Sequence, residues 1–515
     1  MTERRMGRTA AVVAVEAAVV AGAWSWVPSA WSDEAATVSA ATRPLRQLPA
    51  LVNHIDLVNA AYYVAMHLWF AVVGVHDWTL RLPSVVGVAV AVLGTVVLGT
   101  RLSSLRIGVF AGVLAGLVPQ ALWAATEARS YAWTMSFAAW LGLLLVMALE
   151  GRSRWRWVAF GVLAALAVLL FIFMGLLLVA FAVSVVTVPR WRARWRPFLL
   201  TVASVAVVTS PFALAAVGQR GQVAWLPALS TGDIKNIVGN QWFGGRVEFD
   251  HSGVVKAALA VTFGALVLVS VVQARRARGR LSGGTSLTPM VTLALSWLAI
   301  PTLLLVAMSF VTPVYAPRYV TFCVPAVGLL AAPALARLGT GWRVAAMAVI
   351  GVLVLPIYIA QRTVGAKWTD WSTVASEISA GREPNDAFYV IDRVDTPRGR
   401  LGVRSVLELY PDETAGLKDV ALVRSAADSG TYLGDLAPLD ALGSRLAGHD
   451  RLWLVVAPSG LAWQGTPDGR SLSALGYQAV ARHPGAYDDV FLLTRASGGG
   501  ASSSPHAPTD RGATP

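Results

Sequence analysis

The sequence predicts a polytopic α-helical membrane protein of about eleven transmembrane helices with a small C-terminal α/β domain. Three observations point to it. Hydrophobic residues make up 56% of the chain and charged residues only 14%, with a mean hydropathy of +0.59; an ordinary soluble domain carries roughly 25% charge. Apolar runs of about 17 to 22 residues, long enough to cross a bilayer, recur along the first two thirds of the chain. From about residue 366 the charge rises, the apolar runs shorten to strand length and turn residues return.

The spans fall near 9–28, 84–100, 107–125, 132–149, 157–172, 173–188, 198–216, 254–272, 289–310, 319–336 and 344–361. The stretch 157–188 is divided because one helix of that length would overrun the bilayer. The first run follows Arg4, Arg5 and Arg8, but it is too long for a signal h-region and lacks a clear small-residue cleavage site, so it counts as a helix. Residues 1–361 therefore form the transmembrane domain and 362–496 the α/β domain. In the latter, Ala387–Ile391, Val420–Val423, Leu452–Val456 and Val490–Leu493 read as strands, alternating with helical stretches near 370–380 and 470–482. Residues 497–515 are rich in Gly, Ser, Pro and Ala and read as a disordered tail.

The formal charge of +13 is dispersed in short basic clusters between apolar segments, the pattern that sets membrane orientation and not a nucleic-acid surface. With a cytoplasmic N-terminus, Arg101/Arg106, Arg152/Arg154/Arg156, Arg190 to Arg196, Arg275 to Arg280 and Arg337/Arg343 all lie inside. The segments holding Asp33, Glu127, Trp242 and Tyr315 then lie outside, with everything after the last span. This is a multi-pass protein of the cytoplasmic membrane, with its active site and C-terminal domain extracytoplasmic. The single cysteine, Cys323, sits in an apolar stretch, which excludes an intrachain disulfide and the usual zinc frameworks.

Candidate chemistry gathers on that outer side. Asp33 and Glu34 follow the first span directly, and adjacent carboxylates at a helix end cost desolvation energy unless they meet water or a partner. The first outer loop, about 29–83, interleaves Tyr62, Tyr63, Met66, Leu68, Trp69 and Phe70 with His54, Asp56, Asn59 and His67, as a segment lying along the interface would. The histidines read equally as interfacial polar groups. Two further clusters, Glu127-Ala128-Arg129-Ser130-Tyr131 and Tyr315-Ala316-Pro317-Arg318-Tyr319, pair a guanidinium suited to phosphate with tyrosines. Their alternative reading is interface anchoring, with Glu127 neutralising Arg129. Asp33, Glu34 and Asp56 could also hold a divalent cation with waters.

The acid pair after the first span, the long first outer loop with Asp56 and Tyr62-Tyr63, Arg81-Leu82-Pro83-Ser84, Glu127-Ala128-Arg129-Ser130-Tyr131 and Pro317-Arg318-Tyr319 together resemble the GT-C glycosyltransferases. The likeness is to their protein O-mannosyltransferase-like and lipid A sugar-transferase-like branch, the actinobacterial mannosyltransferase type. It covers roughly residues 1–361 and rests on the order and common side of the motifs. The resemblance implies a polyprenyl-phosphate sugar donor, membrane lipid contacts and a protein, lipid or glycan acceptor. It implies Asp33 as catalytic base supported by Glu34, with Asp56 as a further catalytic acid. Arg129 or Arg318, with Tyr131 and Tyr319, would bind the donor phosphate, and His54, Asn59, Tyr62 and Tyr63 would lie along the acceptor loop. The sugar is expected to be a hexose such as mannose. A cell-wall polysaccharide or lipid glycosyl polymerase is the alternative enzyme, and a transporter or lipid flippase the alternative class. Transporters place ionisable groups at mid-membrane in repeated halves; here the candidates sit at outer helix ends.

The orientation is checked by cysteine labelling. A cysteine at Asn240 should react with an impermeant reagent in intact cells and one at Ser153 should not; the reverse pattern overturns the topology.

Overall fold

The structure is a computed structural model describing residues 3–223, 226–230, 232–244, 252–278, 287–391, 401–437, 441–457 and 462–495. Each expected apolar run is helical over most of its length, although the first, expected at 9–28, ends its helix at Gly22. Seven are long and apolar enough to cross a membrane, among them Asp77–Leu102, Tyr131–Glu150, Thr288–Ser309 and the stretch Pro317–Arg337. The other runs form Glu3–Gly22, Leu105–Leu117, Arg154–Leu170 and Met174–Thr187. The run at 107–125 is broken into two helices, Leu105–Leu117 and Pro119–Ala124, because Val118 precedes a proline and takes an extended backbone (ψ 124°).

Small residues decide which helix lies at the centre. The most apolar window of Pro317–Arg337 is 94% buried, against 17% for Trp195–Gly218 and Thr340–Ala360. The sequence Val324–Arg337 is dominated by Ala, Gly and Pro, and small side chains let backbones approach where lipid offers no hydrophobic drive. Gly328 marks the closest approach: a Cβ there would strike the Ala111 carbonyl and Ala115 of the Leu105–Leu117 helix.

The loop after the first span folds into a short helix, Ser32–Thr42, and an amphipathic one, Ala60–Val73. Tyr62, Tyr63, Met66 and Phe70 bury the same face of the latter. The C-terminal domain follows a turn at Val364–Lys367 and a helix at Trp371–Gly381. Its strands are β1 (Ala387–Ile391), β2 (Lys418–Asp419), β3 (Leu422–Arg424), β4 (Asp435–Leu436), β5 (Arg451–Val456), β6 (Tyr477–His483) and β7 (Asp489–Arg495). A mixed five-stranded sheet has the order β2-β1-β5-β7-β6, with β1 parallel to β2 and β5 and the remaining pairs antiparallel; β3 and β4 form a separate pair.

Two expectations are corrected here. Of the strand expected at 420–423 only Leu422 and Val423 are strand, in β3; Val420 and Ala421 form a bend between β2 and β3, where Asp419 Oδ1 accepts from the Ala421 and Leu422 N–H groups (3.0 and 3.2 Å) and turns the chain. The helix expected over 470–482 stops at Ala474, and residues 477–483 are strand β6. Gly476, at φ +88°, ends the helical path in a conformation that a side chain would strain. The expected tail at 497–515 lies outside the described residues.

The domain is not a separate body beside the membrane helices. Trp371, Val374, Ile378, Phe388 and Trp453 share one apolar core with Ala35, Val38, Leu51 and Tyr63 of the first outer loop. Burial of that shared surface fixes the loop against the sheet.

Gly328→Val should lower the thermal unfolding midpoint in detergent through overpacking of about 1–3 kcal/mol. Gly341→Val, at a position with open space around it, is the control and should change it little.

Candidate active site

The site is built on a fully buried group of four charges. Arg81, in the first turns of the Asp77–Leu102 helix, donates through Nε and Nη2 to the two oxygens of Glu34, each at 2.8 Å. Its Nη1 donates to the Ser25 and Pro28 carbonyls beyond the first helix (3.1 and 2.7 Å). Lys367 Nζ lies 2.8 Å from Glu34 Oε2 and 3.2 Å from Glu127 Oε1. Glu127 Oε2 accepts from Trp31 Nε1 at 2.8 Å, and the Ala128 N–H donates to Glu34 Oε1 at 3.0 Å. Two cations and two anions thus balance in a dry space. Burial acts to raise the Glu34 carboxyl, but Arg81 and Lys367 overcome it and hold the group at about 2. Glu127 is pushed up to about 7 by burial, with Lys367 opposing and Glu34 reinforcing the rise.

Asp33 is the neighbour of Glu34 on the Ser32–Thr42 helix, and a helical step of about 100° aims it elsewhere. Its side chain is 24% exposed, and its Oδ1 lies 3.7 Å from Arg129 Nη2, beyond hydrogen-bond length. Arg129 Nη2 is 3.8 Å from Asp56 Oδ2, and its Nη1 donates to the Tyr63 hydroxyl at 2.8 Å. Asp56 is more heavily committed: Oδ2 accepts from the Tyr63 and Tyr432 hydroxyls at 2.8 and 2.7 Å. Its backbone is left-handed (φ +59°), and its N–H donates to Gln222 Oε1 at 2.8 Å. Left-handed non-glycine residues persist only where surroundings over-determine them.

Arg318 meets the chain just before Asp33, at Trp31. Its guanidinium lies 6.0 Å from the Trp31 ring and 5.4 Å from that of Tyr319. Tyr131 and Tyr319 extend the aromatic wall: Tyr131 meets Trp123 and Phe171 at 5.3 and 6.2 Å, and Tyr319 meets Phe171 and Phe173 at 5.9 and 5.3 Å. Trp31 therefore links the two halves, with Glu127 on its N–H and Arg318 over its ring.

The structure thus brings together Asp33, Asp56, Tyr63, Arg129, Tyr131, Arg318 and Tyr319 at the helix ends beside the C-terminal domain. It separates others. Glu34 is buried with both oxygens taken, so it does not stand beside Asp33 as an open acid. Tyr62 is 2% exposed in the loop's apolar core, not on an acceptor surface. His54 is exposed and Asn59 half-buried, and among the described residues neither side chain hydrogen-bonds the cluster. Glu127 pairs with Lys367 and Trp31 and leaves Arg129 to Asp33 and Asp56. The three acids also fail as one metal-ligand set, because Glu34 faces the buried cations and Arg129 lies between the other two. Among the described residues no group of three or more His, Cys, Asp or Glu is arranged to hold a metal ion. Lys367 and Tyr432 were not legible as site residues. Lys367 is a lone lysine just beyond the last span, and Tyr432 comes from a turn between Gly430 and Gly434 of the distant C-terminal domain.

No protein-family model and no curated protein sequence matches the chain. Solved structures do match in shape. The crystal structure of ArnT from Cupriavidus metallidurans in the apo state superposes with a TM-score of 0.56 at 15% identity, covering 93% of this chain and 97% of that one. The same protein bound to undecaprenyl phosphate superposes with a TM-score of 0.56 at 14% identity, covering 95% and 99%. The fold is GT-C-like. The GT-C-like likeness extends over the C-terminal domain as well as the helices, given the share of the chain covered.

The four-charge group makes stability depend on pH in two opposed ways. Glu34, depressed from 4.5, contributes stability that is present above 4.5 and lost as pH falls toward 2. Glu127, raised from 4.5, contributes stability present below 4.5 and lost as pH rises through about 7. The unfolding midpoint of the wild type should therefore drop between about pH 5 and about pH 8 by more than that of Glu127→Gln, which cannot ionise. Parallel curves would remove Glu127 from the balance.

Proposed function

We propose that the protein is a membrane glycosyltransferase that moves a hexose, mannose by the sequence resemblance, from a polyprenyl-phosphate carrier to an acceptor hydroxyl on the outer face of the cytoplasmic membrane. One observation carries this reading: a partly open carboxylate, Asp33, stands at the start of a short helix with the Arg129 guanidinium 3.7 Å away and the Arg318 guanidinium over the ring of Trp31, two residues before it. That arrangement suits general-base chemistry next to a leaving phosphate. The neighbour of the same fold that holds undecaprenyl phosphate supports the donor class. The acceptor is the hydroxyl of a protein, a lipid or a glycan.

In the step, Asp33 accepts the proton of the acceptor hydroxyl while the hydroxyl's own oxygen forms a bond to the anomeric carbon. The bond from that carbon to the phosphate oxygen breaks, and its electron pair leaves with the polyprenyl phosphate. Displacement from the opposite side inverts the anomeric configuration. Asp33 is the better base of the two site acids because Asp56 already accepts two phenolic hydrogen bonds. Arg318, framed by Trp31 and Tyr319, is assigned as the main phosphate ligand because its planar guanidinium suits a phosphate and it lies in the aromatic wall, with Arg129 as the second cation. Glu34 acts by holding the helix that carries Asp33. Buried pairs that lock outer helix ends together count against alternating access, and so against the transporter reading.

The reading is tested on purified protein in lipid, with labelled polyprenyl-phosphate hexoses. Asp33→Asn keeps the shape and removes the base, so transfer should fall roughly a hundredfold or more. Arg318→Lys should raise the KM for donor and Arg318→Ala should raise it further, with acceptor KM moving less. Wild-type rates in Asp33→Asn, or a donor KM indifferent to both Arg318 variants, would defeat these assignments.

A further inference from the structure

The C-terminal domain reaches the reacting groups at one point. Tyr432 is 7% exposed, and its hydroxyl donates to Asp56 Oδ2 at 2.7 Å and lies 2.9 Å from the Tyr63 hydroxyl. The turn that carries it is tied to the helix that carries Asp33. Ser39 Oγ donates to the Tyr432 carbonyl at 3.3 Å, and Arg43 Nη2 donates to the Thr431 carbonyl at 3.1 Å. The backbone here is suited to a fixed turn, with Gly430 at φ +69° and Gly434 at φ +77° on either side.

Arg129 Nη2 is shared almost equally between two carboxylates, at 3.7 Å from Asp33 and 3.8 Å from Asp56. Such sharing is a balance, because each carboxylate draws the guanidinium more strongly as it loses other donors. Asp56 has two phenolic donors on the oxygen that faces Arg129. If one is removed, Asp56 draws Arg129 toward itself and away from Asp33. We propose that Tyr432 is a positioning residue for the transfer reaction: through Asp56 it sets how Arg129 is shared, and so where the Asp33 carboxylate points. The C-terminal domain is then part of the catalytic unit and not an accessory placed on it. This rests on the reading of Asp33 as the base.

Tyr432→Phe keeps the ring in its apolar surroundings and removes only the hydroxyl. It should lower kcat about tenfold with donor KM within about twofold, since the phosphate is assigned to Arg318. The decisive comparison is with Asp56→Asn: if Tyr432 acts through Asp56, adding Tyr432→Phe to Asp56→Asn should cost little more than Asp56→Asn alone. Unchanged kcat in Tyr432→Phe, or fully multiplicative losses in the double variant, would overturn the proposal. A packing role alone would shift the unfolding midpoint without that non-additivity. Should the wild type transfer no sugar from any polyprenyl-phosphate donor, the proposed function fails, and the link is read from amide hydrogen exchange. Residues 54–59 should then exchange faster in Tyr432→Phe than in the wild type, and equal rates there would sink it.

Discussion

The rest of the structure depends on the buried meeting of Arg81, Glu34, Lys367 and Glu127. Each charge pays a desolvation penalty of several kcal/mol, repaid only by close partners and filled hydrogen bonds. The two-pronged Arg81–Glu34 contact meets that condition, and Lys367 lies within ion-pair distance of both acids, although Glu127 Oε1 has no hydrogen bond. The group joins five separate pieces of chain: the segment just beyond the first helix, the Ser32–Thr42 helix, the start of Asp77–Leu102, the loop before Tyr131 and the turn after the last span. Breaking one such buried pair by removing a partner typically costs about 3–5 kcal/mol, because the remaining charge is stranded.

This anchoring explains how Asp33 can stay partly open without being loose. Glu34 fixes one face of the short helix, and Thr37 Oγ1, one turn on, donates to the Ala128 carbonyl at 2.9 Å. Asp33 is left on the adjoining face with Arg129, which follows Ala128 directly in the chain. The acid and its cation are therefore positioned by neighbouring residues on both sides. Precision of this kind requires support from groups that do not themselves react.

The apolar spans were legible because crossing a bilayer demands about twenty apolar residues whatever the packing. The central β5 and β7 were legible for a related reason, as short apolar runs bounded by turn residues. Strand β6 was not, since Gln478, Arg482 and His483 dilute its apolar pattern and only its pairing with β7 makes it a strand. The site was legible in part. Asp33, Arg129 and Arg318 stood out as charges at helix ends, where charge is costly, and Asp56 as an acid within the amphipathic first loop. Tyr432 did not, because a tyrosine in a surface turn carries no such cost and its partner is 376 positions away.

By itself the sequence determined a helical membrane protein with a soluble-looking terminal domain, and several of the charges that gather at the helix ends beside that domain. These follow from solvent preference, which acts on each residue and each run separately. Only the tertiary structure decided which of two adjacent acids is buried and which is open, which cation each one meets, and that the C-terminal domain closes on Asp56. Those outcomes depend on distances between groups remote in the chain, and a carboxylate's role is set by the donors within a few ångströms of it, not by its neighbours in sequence.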